Sequence, residues 1–463
     1  LGDGAHAILA QSAAGTGAGG AVTLDLGGLF VARGSGAHGI YAQSTGQAGA
    51  GDITLELREG TILGGTGAGS GVHFSGGAFN TLTNRGLVGS SRLTDGWAIT
   101  SGDGQDRIFN HGTLVGSVSL GAGPNRLDNH GALLTGAVLD VGAGNRVLNA
   151  GLLSPGGAGQ LQTTGLTGDY LQAGGATYLV DVDHTLRQAD LLQVSGSVGV
   201  DGQLQVNLLD AGGILPGSHY FTVLAGERLN AGAGFGLSAP ESAVLRYSLE
   251  TAEGRELRLR YDVDFAPATL PANQAAIGEH VNAVQRAGSA LPLHPLVNAL
   301  VAQPDLAGLE AAYLRLSPHA HLADTPTRLF ASLGFDQAMH SCRVREGDYR
   351  FVSEGKCTWM RFDESQLRRE ARGLEPRTRE SSSRLSGGWQ TALGARWHGA
   401  LALGYERSDL EIPGLTDREG RQFLVGGILK GRYGPSLLTL SGSYGLGDHD
   451  VGRSVGLPLD GAT

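Results

Sequence analysis

A regular alternation of apolar and polar residues is clearest near the C-terminus, over residues 383–397. The apolar side chains of this segment occupy odd positions: Leu385, Trp389, Leu393 and Trp397. Successive side chains of a strand point to opposite faces, so this period predicts a strand with one apolar and one polar face. The alternation continues in residues 399–408, 423–433 and 438–446, which predicts three further strands.

The connections between these strands are predicted to differ in length. Tight turns are expected at residues 398–399 and 434–435, and longer charged or polar loops at 366–382, 411–420 and 447–461. Strands of about ten residues joined by alternating short and long connections are typical of outer-membrane barrels. A soluble antiparallel sheet would show the same alternation, and the strand pattern alone leaves that alternative open.

Residues 1–80 contain a repeat of short alternating strands joined by glycine-rich turns. The segment Gly4–Ser12 returns as Gly36–Ser44, and a less similar copy begins at Gly71, so the period is about 32 residues. Units repeated at a fixed spacing bury their apolar faces only against their neighbours. The N-terminal region is therefore predicted to be a solenoid.

A second repeat, of 19 or 20 residues, begins near residue 100. It places Asn-x-Gly triplets at Asn110, Asn129 and Asn149, each followed by a short apolar strand. Asparagine and glycine both tolerate the positive φ that a turn requires. We expect one coil of a parallel β-helix per repeat, with the three asparagines forming a ladder along one corner.

The character of the chain changes twice after residue 160. Residues 161–264 contain longer and more aromatic strands, which indicate a cap or a stable nucleus at the end of the solenoid. Prolines at 267 and 271 end this pattern, and apolar residues then recur at helical spacing. Helices are predicted over 305–316 and 326–340.

Composition narrows the class of protein. The 463 residues include 78 glycines, so frequent turns are expected. The net charge is −10 and the chain contains only two lysines, Lys356 and Lys430, which excludes a basic nucleic-acid face. No apolar run is long enough for a transmembrane helix. The chain begins at Leu1 without Met or a signal sequence and stops at Thr463 after about five barrel-type strands. We therefore expect that it is cut at both ends.

Two cysteines, Cys342 and Cys357, flank a charged segment. In an oxidising compartment, a disulfide between them would close a loop worth about 3 kcal/mol in the chain-entropy description. The alternative is two free thiols, and a single pair of cysteines does not favour a metal site.

The chain contains, in this order, a glycine-rich solenoid, a junction of longer strands, a helical linker and alternating strands. This order resembles that of a type V autotransporter with a pertactin-like passenger. The resemblance covers nearly the whole chain. Its most specific segments are Gly168–Val206, Gly217–Leu224, Gly355–Trp359 and Ser386–Gln390.

The resemblance implies a mainly β fold with four regions. These are a right-handed parallel β-helix passenger, a junction module that helps the passenger to fold, a short helical linker, and the N-terminal part of an antiparallel transmembrane β-barrel. They correspond to residues 1–160, 161–264, 265–341 and 342–463. By position, Pro326–His340 would be the helix in the barrel lumen and Thr358–Asp363 the first barrel strand.

The resemblance also implies a location and partners. The barrel would lie in outer-membrane lipid after assembly by the barrel-assembly machinery and periplasmic chaperones, and the passenger would meet a host-cell or bacterial surface ligand. Some relatives cleave themselves at an asparagine within the lumen helix, but no asparagine follows Asn298 in this sequence. Self-release by that chemistry is therefore not expected.

No catalytic, cofactor or metal site is predicted. Residues 101–108 resemble one calcium-binding nonapeptide, but no copy follows nine residues later, so an ordinary turn is expected. His6, His38 and His73 share one phase of the repeat and could line one face, where solvated side chains are a simpler interpretation than metal ligands. No Gly-x-Ser-x-Gly, His-Glu-x-x-His or phosphate-loop motif occurs.

The sequence therefore favours a non-enzymatic surface protein that displays its own solenoid for adhesion or virulence. Two alternatives remain open. One is an enzyme: either the solenoid is the stalk for a protease or esterase domain located upstream, or it carries a polysaccharide-cleaving groove, which would need clustered carboxylates although residues 1–160 contain few acids. The other is an ordinary secreted β-solenoid without a barrel.

Overall fold

The computed structural model describes residues 2–288, 290–318, 324–340, 342–345, 352–371, 377–434 and 436–453. The chain divides into two compact units. The first comprises Leu1–Thr269 and Gly278–Leu309, and the second comprises Leu270–Ile277 and Glu310–Thr463. Strands dominate the described residues, which confirms the prediction of a mainly β fold.

Within its described residues, the first unit holds 26 strands that belong to one sheet. In chain order they are β1 Ile8–Ala14, β2 Val22–Val31, β3 Ile40–Gly46, β4 Ile53–Gly64, β5 Ser70–Gly76, β6 Phe79–Asn84, β7 Leu87–Ser90, β8 Trp97–Ser101, β9 Gln105–Asn110, β10 Thr113–Ser119, β11 Arg126–Asn129, β12 Ala132–Asp140, β13 Arg146–Asn149, β14 Leu152–Pro155, β15 Thr163–Thr167, β16 Asp169–Gln172, β17 Thr177–Asp183, β18 Gln188–Ala189, β19 Leu191–Val194, β20 Ser197–Val200, β21 Gln203–Asp210, β22 Gly217–Ala225, β23 Arg228–Ala231, β24 Gly236–Ser238, β25 Leu245–Ala252 and β26 Glu256–Val263.

Most of these strands pair in parallel, each with a strand one repeat further along the chain. Ile8 lies opposite Ile40, and Ile40 lies opposite Val72, so the 32-residue sequence repeat is also the pairing register. In the later region Asn110 lies opposite Asn129, which lies opposite Asn149. Identical side chains therefore stack at the strand spacing of about 4.8 Å.

The core of the first unit consists of apolar columns that cross successive strands. One column passes through β4, β6, β9, β11 and β13, and each of its side chains is almost completely buried: Leu55, Leu82, Ile108, Leu127 and Val147. Burial of an aliphatic side chain of this size stabilises the fold by about 1.5–3 kcal/mol. The alternation along each strand leaves the intervening residues on the outer face.

Antiparallel pairing appears in three places in the described sheet. Strand β26 pairs with both β22 and β25, and the short β18 pairs with β17. The antiparallel strands β22, β25 and β26 belong to the longer, more aromatic region that the sequence set apart, and Phe221 stacks on Tyr261 there at 5.0 Å.

Helices follow the strands of the first unit. They are α1 Ala272–Arg286, α2 His294–Val301, α3 Leu306–Leu316 and α4 Asp324–Met339, with single 3₁₀ turns at Leu93–Asp95 and Leu291–Leu293. Helix α1 begins directly after Pro271, where a proline is tolerated because the first helical residues need no intrahelical donor. Among the described residues, no helix is both long enough and apolar enough to cross a membrane.

The second unit contains a separate antiparallel sheet of five strands in sequential order. These strands are β29 Cys357–Arg369, β30 Thr378–Ala392, β31 Trp397–Ile412, β32 Thr416–Tyr433 and β33 Ser436–Arg453, and a small hairpin, β27 Arg343–Arg345 with β28 Val352–Glu354, precedes them.

Several predicted connections in this sheet are wrong. Strands β31 and β32 extend through most of the expected loop at 411–420, since Ile412 lies opposite Thr416. Residues 398–399 belong to β31, and the turn before it lies at 393–396. Strand β33 continues to Arg453, and the rest of the loop expected at 447–461 lies outside the described residues. Polar side chains do not interrupt backbone pairing, and opposite charges such as Arg407 and Glu419, 3.7 Å apart, pair across the strands.

Candidate functional site

The asparagines singled out in the sequence form a continuous chain of hydrogen bonds. Asn110 Nδ2 donates to Asn129 Oδ1 at 2.7 Å, and Asn129 Nδ2 donates to Asn149 Oδ1 at 2.8 Å. Asn129 Nδ2 also donates to the carbonyl oxygen of Leu152 at 2.9 Å. All three asparagine side chains are buried. Their amides are fully occupied in joining strands, so this ladder has a structural role.

The ladder is longer than the sequence analysis recognised. Asn84 Nδ2 donates to Asn110 Oδ1 at 2.8 Å, and Gln172 lies next to Asn149 in register on β16. The signal for Asn84 was present, since Asn84-Arg85-Gly86 is the same Asn-x-Gly triplet. It was missed because the spacing to Asn110 is 26 residues instead of 19 or 20.

His6, His38 and His73 do lie on one face, where their rings stack. The ring centroids of His6 and His38 are 5.0 Å apart, and those of His38 and His73 are 4.5 Å apart. Each Nδ1 has a hydrogen-bond partner. His6 Nδ1 accepts from the backbone N–H of His38, His38 Nδ1 accepts from the backbone N–H of Ser70, and His73 Nδ1 lies 2.8 Å from Thr100 Oγ1.

This stack favours neutral imidazoles. Burial, followed by the neighbouring His73 and then His6, lowers the pKa of His38 to about 4. The pKa of His73 is lowered by burial and by His6. Protonation would place like charges between stacked rings. The arrangement therefore makes this face sensitive to acid.

The segment that resembles a calcium nonapeptide forms a turn stabilised by buried side chains. Asp106 accepts a hydrogen bond from Asn80 Nδ2 at 2.9 Å, and its backbone N–H donates to Asn125 Oδ1 at 3.0 Å. Burial raises the pKa of Asp106 to about 6. In the part of the chain that the structure describes, no group of three His, Cys, Asp or Glu side chains is placed to hold a metal ion.

Two buried carboxylates, Asp181 and Asp190, lie close to each other but are occupied by amide donors. Asp181 Oδ2 accepts from the backbone N–H groups of Gly159 and Gln160 at 2.6 and 2.7 Å. Asp190 accepts from the N–H groups of Gln162 and Asp181 at 2.8 and 2.9 Å. Burial, with a smaller contribution from the charge of Asp181, raises the pKa of Asp190 to about 8 although the two N–H donors oppose this shift. These carboxylates fix the segment at 159–162 and have no free edge toward a substrate.

A buried histidine that the sequence analysis did not single out lies among aromatic rings. His184 Nε2 lies 2.7 Å from the hydroxyl oxygen of Tyr247, and its ring meets Tyr261 edge-on with the centroids 4.5 Å apart. Burial lowers the pKa of His184 to about 3. This neutral side chain is buried and packs against the rings of Tyr247 and Tyr261, so it has a structural role in the first unit.

Cys342 and Cys357 are joined by a disulfide, with their Cα atoms 5.7 Å apart. Cys357 is the first residue of β29, and Cys342 precedes β27. The bond ties the β27–β28 hairpin to the start of the five-stranded sheet.

The five-stranded sheet has two different faces. On one face large apolar side chains are exposed, including Leu403 at 68% and Leu440 at 72%. On the other face, Phe335 and Met339 of α4 pack against small and aliphatic residues, namely Ala400, Ala402, Leu424 and Ile428.

The face that contacts α4 also carries buried charges. Lys430 Nζ lies 2.9 Å from Glu354 Oε2, and neither side chain is more than 6% exposed. Arg384 lies 3.4 Å from Glu406, and Arg418 lies 3.5 Å from Glu380. The sheet therefore exposes its apolar side and buries its polar side, which is the reverse of a soluble sheet that packs on a core.

No protein-family model matches this sequence, and no curated protein matches it either.

Proposed function

We propose that this protein is an autotransporter that carries its own parallel β-sheet passenger across the bacterial outer membrane and displays it at the cell surface for adhesion. In this proposal β29–β33 belong to the membrane barrel, α4 lies in its lumen, and the first unit is a right-handed β-helical passenger.

The observation that carries the proposal is the apolar face of the five-stranded sheet. Its exposed residues come from adjacent strands and form a continuous surface: Leu385, Trp389, Leu401, Leu403, Phe423, Val425, Leu429, Leu440, Tyr444 and Leu446. Soluble proteins rarely leave so large an apolar surface in water. A band of this kind is suited to lipid, and the five strands, of 13 to 18 residues, are longer than the roughly 9–11 residues needed to cross a bilayer.

The opposite face supports the same proposal. A transmembrane barrel has a polar interior, and in several of them a helix or loop fills it. Here the polar face carries the Lys430–Glu354 and Arg384–Glu406 ion pairs and packs against α4. Each of these buried charges has a partner of opposite sign, and loss of either partner would leave an uncompensated buried charge, which is strongly destabilising.

The first unit has features suited to a passenger. Its strands pair mainly with the neighbouring repeat, so a coil can fold onto the coil already formed without distant contacts. The disulfide between Cys342 and Cys357 favours an oxidising compartment outside the cytoplasm.

The proposal is tested by surface proteolysis of intact cells that express the full-length gene. One antibody should recognise residues 1–160 and a second should recognise the barrel region, and a periplasmic protein serves as the marker of an intact outer membrane. We expect protease to remove the passenger signal while the barrel signal remains in the outer-membrane fraction.

Two results would contradict the proposal. If both regions were protected, the passenger would not be at the surface. If both regions were recovered in the soluble fraction, the five-stranded sheet would be part of an ordinary secreted protein.

A further inference from the structure

Three arginines are stacked in register on the outer face of the first unit. Arg107 of β9 lies opposite Arg126 of β11, which lies opposite Arg146 of β13. The residues that follow them, Ile108, Leu127 and Val147, point into the core. Neighbouring strands are about 4.8 Å apart, so the three arginine positions form a row across the strands with that repeat.

This row is unfavourable for the fold alone. Like charges placed directly opposite each other on a sheet destabilise the pairing. Arg126 has an acidic partner, since its Nε lies 2.7 Å from Asp128 Oδ1. Arg107 and Arg146 are exposed, and no ion pair joins either of them to a side chain that the structure describes. Arg146 lies opposite Asp169 of β16, which ends the row, and Asp169 Oδ1 accepts from the backbone N–H of Ser197 at 2.7 Å.

Ring-shaped side chains lie beside the arginines on the same face. Phe109 is half-buried two residues after Arg107, and the exposed rings of His111 and His130 stack with their centroids 5.2 Å apart. We call the six residues Arg107, Phe109, His111, Arg126, His130 and Arg146 the arginine face. It combines a row of cationic groups with flat ring surfaces.

We infer that the arginine face binds a linear acidic polysaccharide that runs across the strands. A guanidinium group donates two parallel hydrogen bonds to a carboxylate or sulfate group, which an ammonium group cannot do. A row of such groups at a constant spacing fits a ligand that repeats its own anionic groups along an extended chain. The flat rings of Phe109 and of the histidine pair offer a surface to the C–H side of sugar rings.

A nucleic acid fits this face less well. Proteins that bind nucleic acids through charge present a broad basic surface, whereas this chain has a net charge of −10 and its only lysines are Lys356 and Lys430. Single-stranded nucleic acids also need a series of aromatic rings on which successive bases stack. The arginine face offers Phe109 and one histidine pair, whose two rings already stack on each other, and not a series of separate rings.

This inference gives the proposed adhesion a ligand class, so its biological meaning rests on the proposed function. The binding itself does not, because it can be measured on the purified full chain in detergent. A failure of surface display would leave the binding result unchanged, and a failure of binding would leave the surface proteolysis result unchanged.

The test compares the chain with the double variant R107Q/R146Q. Arg126 is kept, because its loss would leave the buried Asp128 without a partner. The control is R92Q/R228Q, which removes the same charge from two exposed positions, one of them Arg228 in the same column of the sheet but with Ser197 as its neighbour. Circular dichroism establishes that both variants fold.

The probes are polygalacturonate for carboxylated polymers, dextran sulfate for sulfated polymers and unmodified dextran as the neutral control. We expect at least one acidic polymer to bind and dextran not to bind. The dissociation constant should rise about tenfold or more in R107Q/R146Q, since each lost guanidinium contact is charge-assisted, and should stay within about twofold in the control.

The inference is overturned if neither acidic polymer binds, or if both double variants weaken binding equally. It is also overturned if single-stranded DNA or phosphatidylglycerol vesicles bind more tightly than either polysaccharide, because the face would then serve a different class of partner.

Discussion

At the scale of single residues, buried polar side chains hold the parallel sheet together along its length. The ladder from Asn84 to Asn149 satisfies side-chain amides and backbone carbonyl groups in the same step, since Asn129 donates to both Asn149 and Leu152. An unsatisfied polar group in the same place would cost free energy, so each member depends on its neighbours.

Substitution of Asn129 by alanine should therefore weaken the fold. The variant leaves the carbonyl group of Leu152 without its donor and opens a small cavity, and we expect a loss of about 2 kcal/mol in the free energy of unfolding. The measurement is urea denaturation of the full chain in detergent, followed by circular dichroism. The exposed Asn230 provides a matched control, and Asn230→Ala should change the stability by less than about 0.5 kcal/mol. Equal losses in both variants would argue against the ladder.

The histidine stack predicts a dependence on pH. The pKa of His38 is about 4 in the folded chain, below its ordinary value of 6.5, so the unfolded chain binds the proton more readily between these values. Stability is then fully present above about pH 6.5 and is lost as the pH falls toward 4. We expect the urea midpoint to fall between pH 7.5 and 5, and to fall less in His38→Gln.

The exposed His280 on α1 gives the control for this experiment. His280→Gln removes one histidine but leaves the stack intact, so it should keep the pH dependence of the unmodified chain. If His38→Gln responds to acid as strongly as the unmodified chain does, another group is responsible.

The sequence revealed part of this residue-scale organisation. Asn110, Asn129 and Asn149 were found because repeat spacing and pairing register are the same quantity in a parallel stack. The arginine row carries the same signal, since each arginine precedes a ladder asparagine by three residues. The net charge of the whole chain is negative, and it does not reveal a local row of positive charges. Buried ion pairs such as Lys430–Glu354 join residues 76 positions apart, which no local pattern encodes.

At the scale of elements, the main feature of the five-stranded sheet is that its apolar face is exposed and its polar face packs against α4. Strand β31 alternates buried and exposed residues from Ala400 to Ile412, well beyond its apolar segment. The apolar part and the charged part of the strand therefore have the same alternation of buried and exposed residues. The exposed residues of the apolar part are suited to lipid, and those of the charged part are suited to water.

An arginine placed on the apolar face should show whether that face contacts lipid. Leu403→Arg lies in the centre of the apolar segment of β31, and in a bilayer it should cost about 2–4 kcal/mol. Asp409→Arg introduces the same side chain on the same face of the same strand, but within the charged segment, and should cost about 1 kcal/mol or less. The measurement is urea unfolding of the full chain in phospholipid vesicles. Equal costs for the two variants would indicate that the face does not contact lipid.

The errors at the C-terminal ends of β29 and β31 have one cause. Charged residues at 366–369 and 411–412 were interpreted as loop because polarity usually marks turns, but they continue β29 and β31. Strand pairing needs backbone hydrogen bonds and tolerates polar side chains, so the end of an apolar segment is not the end of its strand. The turn at Gly434 was predicted correctly because it rests on backbone conformation, with φ at +58°.

At the scale of the whole molecule, the two units bury apolar surface in opposite ways. The first unit places aliphatic columns inside a stack of parallel strands, and the second exposes its largest apolar side chains on one sheet face. The sequence indicated this difference through its periods, which are 19 to 32 residues in one region and two residues in the other. It did not indicate which face of the C-terminal sheet would meet α4, because that choice depends on contacts between Phe335 or Met339 and distant strands.

The asparagine ladder also bears on how such a chain can change length during evolution. Asn110 and Asn129 each donate to the next asparagine and accept from the one before, so these inner rungs are equivalent. Duplication or loss of one complete 19-residue repeat would restore the same donor and acceptor at the new junction. A gain or loss of a few residues would instead place another side chain at the position of a ladder asparagine. The first unit can therefore gain or lose length in whole repeats while the hydrogen-bond chain stays unbroken.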